Sequence, residues 1–144
     1  EGETMKKVAI VYYSGTGNTQ EMASTILDEL SGKAEAALIE CSSFSPDDIE
    51  KYDAFAFGCP AMGNEVLEED SFEPMFTSIE DKLINKDVIL FGSYGWGDGE
   101  WMRNWEERVI SDKANLKAES VIANEAPDED AKEKLKDAAD KLIS

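Results

Sequence analysis

The chain has 144 residues, the length of a single domain of ordinary size. Lys and Arg number 14 against 32 Asp and Glu, which gives a formal net charge of −18 at pH 7. Such acidity excludes nucleic acid as a partner, because its phosphates would be repelled, and favours basic partners. The chain has no His and only two Cys, which excludes Ser-His and Cys-His hydrolases, a disulfide framework and a four-thiolate metal site; no metal is expected.

Hydropathy and the first residues of the chain indicate the cellular compartment of the protein. No run approaches the roughly 18 apolar residues that cross a membrane, so no membrane association is expected. The polar, acidic first residues differ from a secretory signal peptide. We expect Met5 to be the natural start, residues 1–4 to be a remnant of cloning, and residues 5–144 to form one domain. The expected compartment is the reducing cytoplasm, and the high charge favours a monomer.

Short, continuous apolar runs are typical of strands that are buried on both faces of a sheet. Three such runs cover residues 8–12, 54–58 and 88–92. Two further strands are predicted, one near residues 36–41 and one over residues 118–123.

Apolar residues at helical spacing predict helices between these strands. One helix begins after Thr19, one begins after Gly99, and the last contains residues 131–142. Ser45 and Pro46 start a short helix as an N-cap and a first-turn proline. Alternating strands and helices predict an α/β fold in which helices cover both faces of an open parallel sheet through right-handed crossovers.

Ligands of such sheets bind beyond the carboxyl ends of the strands, where the strand order reverses. Three segments that follow strands are therefore candidate binding loops: residues 13–19, 59–65 and 93–99. We call them the first, second and third loops.

The first loop combines glycines with hydroxyl and amide side chains, in the order Ser14-Gly15-Thr16-Gly17-Asn18-Thr19. Glycines let several backbone N–H groups converge, and the N-terminus of the following helix attracts an anion. No Lys or Arg occurs between Lys7 and Lys33, which excludes a Walker loop, and Gln20 replaces the third glycine of a dinucleotide fingerprint. The first loop therefore predicts a terminal phosphate monoester held by neutral donors.

The second and third loops offer apolar side chains among glycines. Trp96 stands between Gly95 and Gly97, an unusual place for a core residue, so we expect a flat ligand to stack on it. Met62 is a soft side chain suited to the other face of such a ring. Trp101 and Trp105, in contrast, lie at helical spacing and are expected in the core.

Taken together, the three loops resemble those of flavodoxins of the short-chain type found in anaerobic bacteria. The resemblance extends over the chain from Met5 and is carried by Ser14-Gly15-Thr16-Gly17-Asn18-Thr19, Ala61-Met62-Gly63 with Glu65, and Ser93-Tyr94-Gly95-Trp96-Gly97-Asp98-Gly99. It implies a flavodoxin-like three-layer α/β/α sandwich whose five-stranded parallel sheet has the order 2-1-3-4-5. It also implies noncovalent FMN and low-potential one-electron transfer through oxidised, semiquinone and hydroquinone states, without substrate turnover.

The resemblance also implies a role for individual positions. The first loop would hold the FMN phosphate, Met62 and Trp96 would contact the inner and outer faces of the ring, Glu65 would bind flavin N3, and the backbone around Gly95 would bind the pyrimidine carbonyl. The full predicted set is Ser14, Gly15, Thr16, Gly17, Asn18, Thr19, Pro60, Ala61, Met62, Gly63, Asn64, Glu65, Ser93, Tyr94, Gly95, Trp96, Gly97 and Asp98.

A redox switch is implied at the peptide between Gly63 and Asn64. On reduction this peptide would flip so that the Gly63 carbonyl accepts a hydrogen bond from flavin N5, in a turn that favours glycine. Asn64 stands where related sequences carry Asp or another small residue, which leaves the potentials open.

Acidic residues next to the second loop predict how redox partners dock. Residues 65–81 contain seven acids and no base, a negative rim that would attract basic docking faces. The most distant two, Glu80 and Asp81, fit an ordinary solvated helix surface equally well. Cys41 and Cys59 are expected to be small buried thiols without redox chemistry, since no basic neighbour lowers a thiol pKa.

Two classes that share features of this chain are excluded. A receiver domain needs acids after the first strand, an Asp ending the third and a Lys ending the fifth, and these positions hold Tyr13-Ser14, Gly58-Cys59 and Ala123-Asn124. A low-molecular-weight phosphatase needs an Arg six residues after its Cys, and neither Cys has one. The remaining alternative is a flavodoxin-like FMN quinone reductase or a detached flavin module of a larger reductase. It is disfavoured, because 144 residues leave no room for a nicotinamide-binding domain.

Overall fold

The computed structural model describes residues 5–13, 15–63 and 65–144, with six strands and four α-helices in these ranges. The strands are β1 (Lys7–Tyr12), β2 (Glu35–Glu40), β3 (Ala54–Gly58), β4 (Asp87–Tyr94), β5 (Asn115–Leu116) and β6 (Val121–Asn124). The α-helices are α1 (Asn18–Leu30), α2 (Phe72–Ile79), α3 (Glu100–Ser111) and α4 (Glu129–Leu142). Short 3-10 helices cover Cys41–Ser43, Pro46–Lys51 and Glu80–Lys82.

All pairs of neighbouring strands in the sheet are parallel, and the order β2-β1-β3-β4-β5 confirms the prediction. The fifth predicted strand, over residues 118–123, overlaps β6, whereas the short β5 before it was not predicted; both strands pair with β4. Val88 faces Leu116 and Phe91 faces Val121, so residues 117–120 form a bulge opposite only two residues of β4. The hydroxyl of Ser120, inside the bulge, donates to Glu106 Oε2 of α3 at 2.6 Å.

Helices cover both faces of the sheet, as predicted, and the two cores differ in composition. The core under α2 and α3 is aromatic and includes Phe55, Phe57, Phe72, Phe76, Trp101 and Trp105. The core under α1 and α4 is mostly aliphatic and includes Val8, Ile10, Met22, Ile26, Leu135 and Leu142. Trp101 and Trp105 are buried, which confirms their predicted place in the core.

Two helices begin at side-chain caps that lie next to them in the sequence. The short helix predicted at Ser45 is the 3-10 helix Pro46–Lys51, and its capping box joins the Ser45 backbone N–H to Asp48 Oδ2 at 3.0 Å. Asp128 caps α4 by accepting the Ala131 N–H at 2.9 Å. Within the described ranges, every helix is too short or too polar to cross a membrane.

Candidate functional site

A groove of about 230 Å³ opens at the carboxyl end of the sheet, and parts of all three predicted loops line it. The loops meet there because β1, β3 and β4 are neighbours whose ends align: Tyr12 pairs with Gly58, and Gly58 with Phe91. The lining residues are Gly15, Thr16, Asn18, Pro60, Ala61, Met62, Ser93, Tyr94, Gly95 and Glu125. The sequence analysis predicted all of these except Glu125.

The first loop ends at the start of α1. Gly17 precedes the helix with a φ of +97°, a conformation that glycine adopts readily, and its carbonyl accepts the Glu21 N–H at 2.9 Å. The groove lining contains no Lys or Arg among the described residues. An anion in this part of the groove would therefore rely on backbone N–H groups, hydroxyls and the helix N-terminus. Ser14 lies outside the described residues.

Two predicted hydroxyl groups connect the loops to one another. Thr19 and Ser93 are both buried. Thr19 Oγ1 accepts the Ser93 backbone N–H at 3.4 Å, and Ser93 Oγ donates to the Glu125 carbonyl at 2.8 Å. These bonds join the start of α1, the end of β4 and the segment after β6.

The second loop is a tight turn closed by backbone hydrogen bonds. Met62 N–H donates to the Val66 carbonyl at 2.9 Å, and Val66 N–H donates to the Met62 carbonyl at 3.0 Å. Gly63 has a φ of +50° and Glu65 a φ of +57°. The Met62 side chain is 37% exposed, a large apolar group that the fold leaves uncovered. Asn64 lies outside the described residues, so the predicted redox switch stays a prediction.

Glu65 joins the second loop to the third. Its Oε1 accepts the backbone N–H groups of Gly99 at 3.2 Å and Glu100 at 3.0 Å, at the first turn of α3. Gly97 has a φ of +92°, which favours glycine, and a Cβ there would displace the Glu65 carboxylate, whose Cδ would lie 2.5 Å away. Sequence reasoning predicted Glu65 as a ligand residue and missed this second, structural role.

The third loop exposes an aromatic ring. Trp96 is 63% exposed, whereas Trp101 is 2% exposed and its Nε1 donates to the Cys59 carbonyl at 3.1 Å. The carboxylate of Asp98 accepts from Arg103 Nη2 at 3.1 Å. The exposed face of Trp96 is therefore available for stacking by a ligand.

The acidic segment 65–81 is less available to partners than its sequence indicates. Glu68 is buried and caps α2, because its carboxylate accepts the N–H groups of Asp70, Ser71 and Phe72 at 2.9, 2.8 and 2.7 Å. Arg108 of α3 binds both Glu73 and Glu80, each at 2.8 Å. The segment has no base of its own, but the fold supplies one. Glu80 is therefore paired with Arg108 rather than freely solvated.

Other acids cluster where the second and third loops meet the start of α3. The carboxylates of Glu65, Asp98 and Glu100 lie within 4.8 Å of one another, beside the third loop. Glu69 and Asp70 are also exposed. The negative rim therefore combines the second and third loops, an arrangement that a search along the sequence alone does not reveal.

The Arg108 cluster changes the ionisation of its acids. Hydrogen bonds from Arg108 lower the pKa of Glu73 and of Glu80 below their ordinary values. Burial and the neighbouring Glu80 raise the pKa of Asp112 to about 6. Asp112 Oδ2 is buried and has no hydrogen-bond partner in the described part of the chain. A protonated Asp112 can donate a hydrogen bond to Glu80 and is no longer repelled by it, which favours the protonated form.

Both thiols are buried, as predicted. Burial raises the pKa of Cys41 to about 11 and also raises the pKa of Cys59. Cys59 Sγ accepts the Glu68 N–H at 3.3 Å. Protonated, buried thiols of this kind are unreactive, which supports the prediction that neither takes part in redox chemistry.

Glu125 is the lining residue that sequence reasoning missed. It directly follows β6 at the same edge of the sheet as the three loops. The rule that placed the loops after β1, β3 and β4 applies equally to this segment, so strand position alone could have identified it.

Known proteins are similar to this chain in sequence and in fold. The family model of flavodoxin matches residues 10–141. The flavodoxin of Megasphaera elsdenii is 47% identical over 124 residues, which covers 84% of this chain and 88% of that protein. The flavodoxin of Clostridium beijerinckii is 46% identical over 122 residues, 83% of this chain and 88% of that protein. The solution structure of two-electron reduced Megasphaera elsdenii flavodoxin has a TM-score of 0.84 at 43% identity and covers 92% of this chain and 98% of its own.

A longer flavoprotein matches over part of its length. The nitric oxide reductase of Moorella thermoacetica is 33% identical over 129 residues, 83% of this chain but 31% of that protein.

Proposed function

The chain belongs to the flavodoxin family, whose members bind FMN and carry electrons, and on that premise we propose that it shuttles single electrons at low potential between redox enzymes. FMN supplies the chemistry when bound, because its ring system accepts and releases electrons. We further propose that residues 5–144 act as one FMN-binding domain in the cytoplasm, without turning over a substrate.

The observation that carries this proposal is the groove that all three loops line together. Its first loop offers neutral donors and a helix N-terminus, which suit a phosphate monoester. Met62 and Trp96 expose apolar surface beside it, which suits a flat ring. A ligand that combines a phosphate with a flat ring fits this set of groups, and FMN is such a ligand.

The phosphate is assigned to the first loop and the ring to the other two. Met62 takes the inner face of the ring, Trp96 the outer face, and Glu65 the N3–H group. Glu65 Oε2 accepts no hydrogen bond from the described residues, whereas Oε1 caps α3, which leaves one carboxylate oxygen for the ligand. The backbone around Gly95 binds the pyrimidine carbonyl. The phosphate-binding residues are Ser14, Gly15, Thr16, Gly17, Asn18 and Thr19, and the remaining ring and ribityl contacts are Pro60, Ala61, Gly63, Asn64, Ser93, Tyr94, Gly97 and Asp98.

The peptide between Gly63 and Asn64 is assigned as the redox switch, whose flip lets the Gly63 carbonyl accept a hydrogen bond from flavin N5. The positive φ of Gly63 supports this, since a side chain is unfavourable there. The two Met62–Val66 backbone bonds also support it, because they hold the ends of the turn while its centre changes. Gly63→Thr is expected to weaken binding of the one-electron-reduced flavin far more than binding of oxidised FMN. The midpoint potential of the first electron should therefore fall. Equal effects on both would remove the assignment.

Docking is assigned to the acidic rim formed by Glu65, Asp98 and Glu100, which would meet a basic face on the partner protein. The chain is proposed to act as a monomer. Opposite charges accelerate association at low ionic strength. Electron transfer to a basic haem protein should therefore slow as salt rises, and Glu100→Gln should reduce that slope more than Glu133→Gln on the outer face of α4. A rate that does not respond to salt contradicts this docking face.

The deciding experiment is a visible absorption spectrum recorded during stepwise anaerobic reduction with dithionite. We expect a flavin spectrum that passes through a transient long-wavelength band before bleaching, because electrons enter one at a time. Direct bleaching without that band would favour a two-electron reductase. A colourless protein that takes up no added FMN would contradict the cofactor site itself.

A second measurement tests for turnover. The FMN-loaded chain should not oxidise NADPH in the presence of a quinone, because a carrier exchanges electrons with proteins. Steady NADPH oxidation would replace the carrier with the quinone reductase.

A further inference from the structure

The sulfur atoms of the chain differ in how accessible they are to an oxidant dissolved in water. Both cysteines are buried, and burial raises the pKa of each thiol, so neither supplies a reactive thiolate. Met5 and Met62 are exposed. The other three of the five methionines are buried: Met22, Met75 and Met102. The accessible sulfur of the chain therefore lies in two thioethers.

The two exposed methionines differ in where they lie. Met62 lines the groove, whereas Met5 precedes β1 and is not among the lining residues. The backbone of Met62 is held by Val66, through hydrogen bonds of 2.9 and 3.0 Å that close the turn of the second loop. Both bonds use backbone atoms, so a chemical change at the Met62 sulfur leaves the closure of the turn intact.

A peroxide oxidises a methionine thioether by transferring one oxygen atom to it. The O–O bond of hydrogen peroxide breaks, one oxygen bonds to the sulfur and the other leaves as water, so the sulfur loses the two electrons that the peroxide gains. The product, methionine sulfoxide, is a polar side chain instead of an apolar one. Methionine sulfoxide reductases reverse the reaction, because a dithiol is oxidised to a disulfide while the sulfoxide oxygen leaves as water.

We propose that Met62 is a reversible oxidation site, at which conversion of the thioether to the sulfoxide by a peroxide weakens the binding of FMN. The proposal rests on the proposed function, because its consequence requires the flavin ring against Met62. A sulfoxide oxygen covered by the ring loses its water, and the described lining of the groove offers no Lys or Arg to replace it. Covering a polar group without a new hydrogen bond is unfavourable, so the oxidised apoprotein stays folded but binds FMN less tightly.

The test measures the Kd of FMN before and after the apoprotein is treated with hydrogen peroxide, and peptide mass spectrometry locates each added oxygen. We expect oxidation at Met5 and Met62, none at the buried methionines, and a rise of about tenfold in the Kd. Methionine sulfoxide reductases that act on both sulfoxide epimers, supplied with dithiothreitol, should restore the original Kd. The proposal is overturned if Met62 resists oxidation, if its oxidation leaves the Kd unchanged or lower, or if the reductases fail to restore affinity.

Two variants separate Met62 from the other exposed methionine. Met62→Leu keeps an apolar side chain of similar volume but has no sulfur, so its Kd, whatever the starting value, should not respond to peroxide. Met5→Leu keeps Met62 and should lose affinity on oxidation as the wild type does. A peroxide response in Met62→Leu would assign the effect to another residue, and a missing response in Met5→Leu would assign it to Met5; either result overturns the proposal.

Stability and protection by the cofactor complete the test. Oxidised apoprotein should unfold at the temperature of the untreated apoprotein, since the turn is closed through its backbone. A clear drop in that temperature would mean that peroxide damages the fold, which overturns the proposal. Bound FMN should slow oxidation of Met62 but not of Met5, and equal rates at Met62 with and without FMN would remove the contact on which the proposal depends. Untreated apoprotein that binds no FMN would overturn the proposed function instead.

Discussion

The rim of the groove and the layer beneath it differ in how much of their surface folding uses. By the rim we mean here the described residues of the second and third loops at positions 62, 63, 65, 66 and 95–98, as distinct from the acidic rim. In it, Met62 and Trp96 leave 37% and 63% of their surface exposed. In the layer beneath, formed by α2 and α3, Trp101 is 2% exposed and Arg108 binds two carboxylates. Trp101 lies five positions after Trp96, yet only Trp101 contributes to the core.

This contrast teaches that folding and ligand binding draw on separate residues. Exposed apolar surface in the rim gains little during folding, so its free energy remains available for a ligand. Glycines mark the boundary between the two regions: a Cβ on Gly97 would collide with Glu65, and a Cβ on Gly92 would collide with Cys59. Substitutions beneath the rim should therefore change unfolding, and substitutions in the rim should change affinity.

The largest expected effect is on stability, from Gly92→Ala at the end of β4. An added Cβ would lie 2.2 Å from the Cys59 carbonyl oxygen, which is also the acceptor of the Trp101 indole N–H. Backbone must shift to admit it, so we expect a loss of at least about 3 kcal/mol in the free energy of unfolding. Chemical denaturation of the apoprotein measures this. Gly15→Ala is the matched control, since its nearest neighbour would be 3.8 Å away, and comparable losses in both variants would contradict the close-approach argument.

Arg108→Ala should have the next largest effect, because it leaves Glu73 and Glu80 without their shared cation. Arg108 also lies 5.0 Å from the centre of the Phe76 ring, so packing is lost as well. We expect a loss of about 2–3 kcal/mol, somewhat below that of a fully buried pair. Arg103→Ala, whose exposed pair with Asp98 contributes little, should cost less than about 1 kcal/mol. Similar losses would mean that the two-helix cluster is no stronger than a surface pair.

Trp96→Ala tests the rim directly. Its exposed ring adds little to folding, so the apoprotein should unfold like the wild type. FMN affinity should fall by about 1–3 kcal/mol, by analogy with a base stacked on an aromatic ring. Fluorescence titration with FMN gives the affinity, and calorimetry of the apoprotein gives the stability. An unchanged Kd would remove Trp96 from the ring site, and a large loss of apoprotein stability would erase the contrast between the two regions.

Most of the fold was predictable because its signals are local. Buried strands appear as short apolar runs, and β1, β3 and β4 coincide with the predicted runs to within two residues. The division of β5 from β6 was not predictable from such runs. The segment between them contains Ser120, which bonds to Glu106 of α3, 14 residues earlier, and a local hydropathy pattern does not show such a contact.

The candidate site was predictable in its loops and not in its charges. Strand ends fix where loops meet, so the three loops could be placed from sequence alone. The partners of acids are set by tertiary contacts: Glu68 turns inward to cap α2, and Arg108 reaches Glu73 from another helix. Glu65 caps α3 for the same reason, across 34 residues of sequence.

The smallest expected effect concerns the pH dependence of the layer beneath the rim. The pKa of Asp112 is raised to about 6 from the ordinary value of 3.8, because of burial and of Glu80, with a further contribution from Asp81 against the opposing charge of Arg108. Between these two values the folded state holds more protons than the unfolded state, so this group's contribution to stability falls as pH rises. Asp112→Asn removes this pH-dependent contribution of Asp112 to the free energy of unfolding.

The difference between wild type and Asp112→Asn reports on this carboxyl together with its interaction partner Glu80. The variant should gain on the wild type as pH rises from about 4 to 6, and at pH 7 it should be more stable by less than about 1 kcal/mol, because solvent screens part of the repulsion. Glu80 acts in the opposite direction: its pKa is lowered first by Arg108 and then by its hydrogen bond with Asp112, and its stabilisation is lost as pH falls. Arg108 keeps the larger part of that contribution in both proteins. Thermal unfolding across this pH range measures the difference. A constant difference would show that Asp112 ionises normally and that the Arg108 cluster holds its three acids without strain.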